Sequence, residues 1–234
     1  MALILSFDTA TKHCAVALAK GGRTLAYRVD DAERFSHAEK LNVFIAEVMR
    51  EAGKELKDLD AVAVGIGPGS YTGLRIGLSA AKGLCFALDI PLIGLGTLDV
   101  LSYEVLGSGF VTRTNDVLHP MVDARRMEVF TKQLDQHGKA NRDARPVVLD
   151  DAWCTALDPG KRHIVFGDGA DKATELWSKH APVLCIPAIR PSVRGLSALA
   201  DLVHGRKDFA DLAYLVPDYG KEANVTEPRK RAAQ

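Results

Sequence analysis

Val64-Gly65-Ile66-Gly67-Pro68-Gly69-Ser70-Tyr71-Thr72-Gly73-Leu74-Arg75-Ile76-Gly77 is the stretch on which the fold turns. An apolar run, Ala61 to Ile66, leads into it and reads as a buried strand. Beyond it, Thr72 to Leu88 carries apolar residues at helical spacing. Strand, glycine turn and helix follow in order, which aims free backbone N–H groups at whatever lies above the turn, commonly an anion. The stretch lacks the Gly-Lys-Ser/Thr that closes a P-loop. Pro68 breaks the spacing of a dinucleotide fingerprint, and Asp89 lies just past the helix rather than at the end of a second strand. A tight turn with left-handed glycines accounts for the same residues, and the sequence leaves both readings open.

Upstream, Ala2 to Phe7 reads as a strand, Asp8 to Lys12 as a polar turn and His13 to Ala19 as a second strand. Gly21-Gly22 then turns the chain into a third, Thr24 to Val29. Ser36-His37-Ala38-Glu39 forms a capping box opening a helix to about Ala52, with Gly53 as its stop. Leu41, Phe44, Ile45, Val48 and Met49 make one apolar stripe along it. A strand at Pro91 to Gly94 follows the long helix, and another helix starts near Thr97.

The second half repeats this order. His119 to Val122 is a strand ending in Asp123, Ala124-Arg125-Arg126 a turn, Met127 to Leu134 a strand, and Pro146 to Leu149 closes the third. A short helix fits Asp151 to Leu157. His163 to Phe166 is a strand, Gly167-Asp168-Gly169 a glycine turn and Asp171 to Lys179 a helix. Val183 to Ile186 is the last strand, and Ser192 caps a helix from Val193 to His204. Asp8 thus aligns with Asp123, and Gly67-Pro68-Gly69 with Gly167-Asp168-Gly169. A chance match over so many elements is improbable. The expectation is an α/β protein of two RNase H-like, actin-like lobes, a duplicated βββαβα, with lobes at 1–103 and 104–217 and a polar tail at 218–234.

Lys+Arg and Asp+Glu both number 30 in 234 residues, so net charge gives no reason to expect a dedicated nucleic-acid binder. Hydrophobic content of 47% is that of a globular chain with ample length for a core. Cys14, Cys85, Cys154 and Cys185 lack the paired spacing of a zinc site. With no long charge-free apolar segment and no leader ahead of the first strand, a cytoplasmic location away from membranes is expected.

Asp8 and Asp123 end the first strands of the two lobes. In a phosphotransferase of this plan they would orient Mg²⁺ or water, with phosphates resting on Thr9, Thr11 and the Gly67, Gly69, Ser70 turn. Alternatively each aspartate satisfies the donors of its own turn, and no evident base or second metal ligand accompanies them. His37 is followed at i+4 by Leu41, so no helical metal pair forms, and the other histidines make no helical or turn pair. Ser70 fits a helix cap rather than a nucleophile elbow. Gly73, Gly77, Ala80 and Ala81 imply close packing of the long helix on its own sheet or on a partner. The helices at 35–52 and 72–88 are predicted to pack together and to present a partner face that includes Phe35, Val43 and Gly77. Arg229-Lys230-Arg231 sits in a run, 221–234, that reads as a solvated tail.

Asp8-Thr9-Ala10-Thr11, Ser36 to Leu41, Gly65 to Gly77, Ala80-Ala81-Lys82-Gly83 and Met121-Val122-Asp123-Ala124-Arg125 resemble the TsaB (YeaZ) family. The resemblance is close through residues 3–102 and looser through 119–180, and Pro217-Asp218-Tyr219 echoes a Pro-x-Tyr tail. It implies a subunit of the system that makes threonylcarbamoyladenosine in tRNA, itself without catalytic residues or a metal. The catalyst is the paralogue TsaD, whose His-x-x-x-His pair is replaced here by His37 and Leu41. TsaE, a small ATPase, joins the complex, TsaC supplies threonylcarbamoyl-adenylate, and tRNA is reached through the complex. The implied interface with TsaD comprises Phe35, His37, Leu41, Val43 and Ile45 with Tyr71, Thr72, Gly73, Arg75, Ile76, Gly77 and Ala80. ATP or ADP is placed by the resemblance at that interface, over a vestigial cleft, and a homodimer forms when TsaD is absent. The alternative is an active ATP-dependent phosphotransferase using Asp8 and the Gly67–Ser70 turn.

Overall fold

The computed structural model describes residues 1–30, 37–110 and 112–221, with His37 as backbone only. Phe35, the Ser36 cap, the His37 side chain and residues 222–234, all invoked above, lie outside what is described. β1 (Leu3–Asp8), β2 (Cys14–Lys20) and β3 (Arg23–Asp30) form an antiparallel meander. β4 (Ala61–Gly67) and β5 (Leu92–Gly96) add in parallel on the other side of β1, giving the order β3-β2-β1-β4-β5. The second sheet has the same plan in the order β10-β9-β6-β7-β8. Its strands are β6 (Val117–Asp123), β7 (Glu128–Leu134), β8 (Ala140–Val148), β9 (His163–Phe166) and β10 (Val183–Ile186). The duplication is therefore real, down to which neighbours pair parallel and which antiparallel.

Every residue of the central strand β1 is buried, as a strand covered on both faces requires. One cover is the pair α1 (His37–Glu51) and α2 (Tyr71–Leu88). Leu41, Ile45 and Val48 from the first and Leu78, Ala81 and Cys85 from the second meet Leu5, Phe7, Val16, Leu18 and Val64 of the sheet. Strand β2 alternates, with Val16 and Leu18 toward these helices and the small Ala15 toward the opposite face. On that opposite face lies α7 (Val193–Gly205), whose Leu196, Leu199 and Ala200 pack on Ile4, Ala15, Ala61, Ala63 and Ile93.

Chain order does not predict this packing. Helix α7 follows the second sheet yet covers the first, while α3 (Thr97–Gly107) follows the first sheet and places Leu98, Leu101 and Val105 on Leu118, Val122 and Phe166 of the second. The two exchanged helices touch where Gly195 lies against the Val100 carbonyl, too close for a side chain. Glu104 of α3 accepts the Ser192 hydroxyl and the Gly195 amide (3.3 Å) at the start of α7, binding an anionic group where the helix dipole favours one. The layers run helix, sheet, helix, sheet, helix. The outermost holds α4 (Asp151–Thr155), α5 (Asp168–Asp171) and α6 (Thr174–Ser178), with Trp177 buried beneath it.

Two elements differ from expectation. The helix read at Asp171 to Lys179 is the two short helices α5 and α6, separated by a turn at Lys172 and Ala173, the latter outside the helical region. The third strand of the second lobe is not Pro146 to Leu149 but the longer β8. It is an edge strand exposed over most of its length, so it carries Asn141, Arg142, Asp143 and Arg145 in place of the apolar alternation that signals a strand.

The glycines of α2 differ in a measurable way. A Cβ at Gly73 would land on the Thr9 carbonyl oxygen, whereas one at Gly83 meets nothing within 4 Å. Gly73→Ala should lower unfolding free energy by about 2–3 kcal/mol through overpacking, and Gly83→Ala should raise it by about 0.5–1 kcal/mol. Urea midpoints of the two variants check this; equal shifts would contradict the packing described.

Candidate functional site

The sequence-predicted cleft residues do gather where the β1–β2 turn meets the start of α2. Ser70 is the N-cap, its hydroxyl accepting from the Gly73 amide at 3.3 Å. Its own amide donates to the Ala10 carbonyl at 2.6 Å. The Thr9 hydroxyl donates to the Gly73 carbonyl at 2.8 Å, an unusual partner deep inside a helix start, reachable because Gly73 and Gly77 carry no side chain there. The Thr11 hydroxyl accepts from the His13 amide at 3.3 Å. A Cβ on Gly69 would strike the Ala10 carbonyl, and one on Gly67 (φ +117°) would strike the Asp218 carbonyl.

Asp8 is 1% exposed. Its Oδ1 accepts the Ala10 amide at 2.8 Å, so the reading that it serves its own turn is correct for this oxygen. Oδ2 is buried without a partner and abuts Gly65, where a Cβ would collide with it. Burial pushes the carboxyl up to about 6, opposed only in part by the Ala10 hydrogen bond. Asp123, its counterpart, is half exposed and tied within its own lobe. It accepts the Arg125 amide (2.9 Å) and the Lys172 ammonium, while its amide donates to Asp168 (3.0 Å).

The groups of the first lobe face one another, whereas Asp123 is half exposed in the second. The Thr9 hydroxyl, the Ser70 amide and the surface of Gly67 are all engaged by this chain's own backbone. The Thr9 hydroxyl is thus taken by the Gly73 carbonyl and the face of Gly67 by Asp218, while the Thr11 hydroxyl accepts one amide and keeps its own proton to donate. Asp8 itself is walled in by Gly65 and has no open side on which to hold a hydrated cation.

What engages Gly67 is Asp218, the first residue of the run assigned above to a polar tail; residues 208–217 before it were assigned to the second lobe. Residues 208–221 run back over the first lobe and onto the second. Ala210 bridges to Leu92 of β5 (2.8 Å), and Lys82 donates to the Ala213 carbonyl (3.0 Å). The Asp218 amide donates to Ile66 at 2.7 Å. Tyr219 stacks on Tyr71 with ring centroids 4.7 Å apart and accepts from Arg75 at 3.0 Å. Gly220 lies against Phe130, and Lys221 pairs with Glu128, both on β7. An interleaving of Pro, Asp, Tyr and Gly in a charged terminal run was the available signal.

The α1–α2 pair presents the other candidate surface. Val43, Tyr71, Thr72 and Arg75 are exposed, and Ile76 and Ala80 are half buried. Arg75, Ile76, Ser79 and Ala80 border an open trough of about 540 Å³ with Ala38 and Asn42. Asn42 also borders a second depression of about 640 Å³ that includes Met49, Leu56 and Leu84. Four residues predicted for this face do not project from it. Leu41 and Ile45 are buried core residues that touch the trough and the second depression respectively, and Gly73 and Gly77 lie against Thr9. Gly73 and Gly77 of α2 serve its own β1–β2 turn. Helix α2 contains no acidic residue and carries Arg75 and Lys82.

Spacing also hid a histidine pair. His119 Nε2 and His163 Nδ1 lie 3.0 Å apart, brought together by the parallel pairing of β6 and β9. His163 Nε2 can only donate to the Asp158 carbonyl (3.0 Å), so its Nδ1 accepts from His119 and leaves His119 Nδ1 a bare buried acceptor. Burial first, then the neighbouring His163, pulls His119 down to about 3. Among the described residues no group of three or more metal-ligating side chains occurs.

A family model described as TsaD, tRNA N6-adenosine threonylcarbamoyltransferase, matches residues 30–153. The chain belongs to the TsaD family, in its TsaB (YeaZ) branch. Escherichia coli TsaB, named a tRNA threonylcarbamoyladenosine biosynthesis protein, is 34% identical over 148 residues, 62% of each chain. The match thus spans less than two thirds of that relative. The structure of YeaZ from Pseudomonas aeruginosa superposes with a TM-score of 0.74 at 24% identity, covering 94% of this chain and all of that one. An inorganic polyphosphate/ATP-glucomannokinase from Arthrobacter shares the two-lobed fold at a TM-score of 0.51 and 13% identity, over 87% of this chain and all of the kinase. The actin-like architecture expected of this TsaB-branch chain is thereby established.

The Asp8 geometry has a pH signature. Its carboxyl stays protonated in the fold up to about pH 6, while in the unfolded chain it ionises above about pH 4. Stability should therefore fall as pH rises from about 4 to 6, by up to about 3 kcal/mol, and stay at the lower level above. Subtracting the Asp8→Asn profile cancels the opposite slope from His119. Urea unfolding of both proteins between pH 4 and 7.5 should give a difference that grows through this window; a flat difference would contradict the buried, unpartnered carboxylate.

Proposed function

We propose that this chain is the non-catalytic subunit of a tRNA threonylcarbamoyladenosine modification complex, acting in the cytoplasm by docking a TsaD-type catalytic relative on α1 and α2. The observation that carries the reading is the contrast between the two candidate sites. The acid on which actin-like phosphotransfer chemistry would depend is sealed against Gly65, while the α1–α2 pair leaves a trough open beside Ala38, Ile76 and Ala80 and exposes Val43 elsewhere on α1. Exposed apolar surface on paired helices fits a protein partner that lays its own helices across it. Arg75 and Lys82, with no acid on α2, favour carboxylates on that partner.

In this reading TsaD performs the transfer, TsaE joins the pair, and tRNA is reached through the complex. Any ATP or ADP lies at the interface with TsaD rather than inside this chain, and self-association through the same helices replaces the heterodimer when TsaD is absent. The membership of the TsaB branch supports the assignment, and the walled-in Asp8 counts against an independent ATP-dependent phosphotransferase.

The test is a reconstitution with TsaD, TsaE, TsaC, ATP, threonine, bicarbonate and unmodified tRNA. Val43→Asp and Ala80→Asp, both at positions with solvent access, should weaken TsaD binding at least tenfold and abolish modification with little change in stability. Asp8→Asn should leave modification within about twofold of the native chain. Loss of modification in an assembled Asp8→Asn complex would place nucleotide chemistry in this subunit and overturn the proposal.

A further inference from the structure

The two lobes of this chain are joined a second time, outside the exchanged helices, by its own residues 217–221. Four residues, Asp218 to Lys221, define the junction. Asp218 lays its backbone along the end of β4, donating to the Ile66 carbonyl at 2.7 Å and covering Gly67 with its carbonyl. Tyr219 is held between the first turn of α2 and solvent by the Tyr71 ring at 4.7 Å and the Arg75 guanidinium at 3.0 Å. Arg75 in turn lies 4.3 Å over the Tyr71 ring, so the three side chains form one stack. The Asp218 carboxylate accepts the Gly220 amide at 2.9 Å, which fixes a turn with Gly220 at φ +67°. That turn delivers Gly220 and Lys221 to Phe130 and Glu128 of β7, in the second lobe.

We propose that Pro217–Lys221 is an intramolecular clasp. It seats its own backbone on the glycine turn where a nucleotide phosphate was expected, and it closes the lobes in place of a bound ligand. The chemistry supports the substitution. The Asp218 carbonyl fills the approach to Gly67 that only a residue without a side chain leaves open, and its amide takes the Ile66 carbonyl near the end of β4. The stacked tyrosine pair adds an attraction beyond its buried area that helps keep the short segment seated. Next to the clasp, Pro68, Phe130, Arg145 and Tyr219 border a depression of about 410 Å³, so the junction is a lined gap rather than a fused core.

The contacts make a distinctive prediction: loosening one aromatic ring on the first lobe should loosen a strand of the second. Amide hydrogen exchange read by mass spectrometry on the full chain tests it. In Tyr219→Ala, exchange should rise at least tenfold at 64–70 and also at 128–131, with β9 unchanged. Tyr214→Ala, which removes an 83% exposed ring from the same segment, should change none of these. Acceleration confined to 215–221, no acceleration, or a uniform rise that includes β9 would each overturn the clasp. A second arm adds 1 mM magnesium ADP to the native chain. No protection of 66–70, or protection accompanied by faster exchange at 215–221, agrees with mutually exclusive occupancy. Protection of 66–70 with the clasp still protected would overturn it. Neither arm requires TsaD or tRNA, so its failure is separable from failure of the proposed function.

Discussion

The seating of the β1–β2 turn on the first turn of α2 constrains everything around it. Thr9 reaches past Gly73 to that residue's carbonyl, and Ala10 takes the Ser70 amide, so the turn and the helix lie at backbone contact. Such an approach tolerates no side chain at Gly69, Gly73 or Gly77. It also draws Asp8 inward against Gly65, where one oxygen has a backbone donor and the other has none. Ionising a carboxylate in that position is costly, and the group answers by holding its proton to about pH 6. The same close packing that orders the first lobe thus removes from it the hydrated, accessible acid that phosphoryl transfer requires.

The fold was legible because it is written as order rather than as strength of pattern. Strand, acid, turn and glycine recur in both halves, and the two sheets reproduce the repeat with identical pairing. Boundaries failed where the usual signal was physically absent. Strand β8, exposed along most of an edge, needs no apolar alternation, and Ala173 interrupts a helix without any glycine or proline to announce it. The exchange of α3 and α7 was invisible for a different reason. An apolar stripe states that a helix must be covered, but not by which sheet, and here each helix leaves the sheet it follows to cover the other.

The candidate sites show the same limit at finer scale. The glycines of α2 were legible as close-approach residues, but the sequence could not say whether the approaching group was a partner or the chain's own Thr9. Leu41 and Ile45 share the stripe that builds the core, while Val43, off that stripe, is solvent-exposed. His119 and His163, 44 positions apart, become neighbours only through strand pairing. Spacing along the chain detects pairs made by one helix or one turn and is blind to pairs made by a sheet.

The two lobes are also tied to each other in two independent ways, and this bears on what the molecule can do. The crossing of α3 and α7 at Gly195 and Glu104 joins them through buried layers. The Asp218–Lys221 segment joins them again at the mouth of the glycine turn. An enzyme that opens and closes on a ligand needs at least one such junction to yield with each cycle. A subunit whose task is to hold a partner benefits from the opposite, since a surface fixed before docking avoids the ordering cost of association. Here Tyr71 and Arg75 belong to both systems. They hold Tyr219 from one side and stand on the α1–α2 face on the other. The junction between the lobes and the exposed α1–α2 face consequently share the same two side chains.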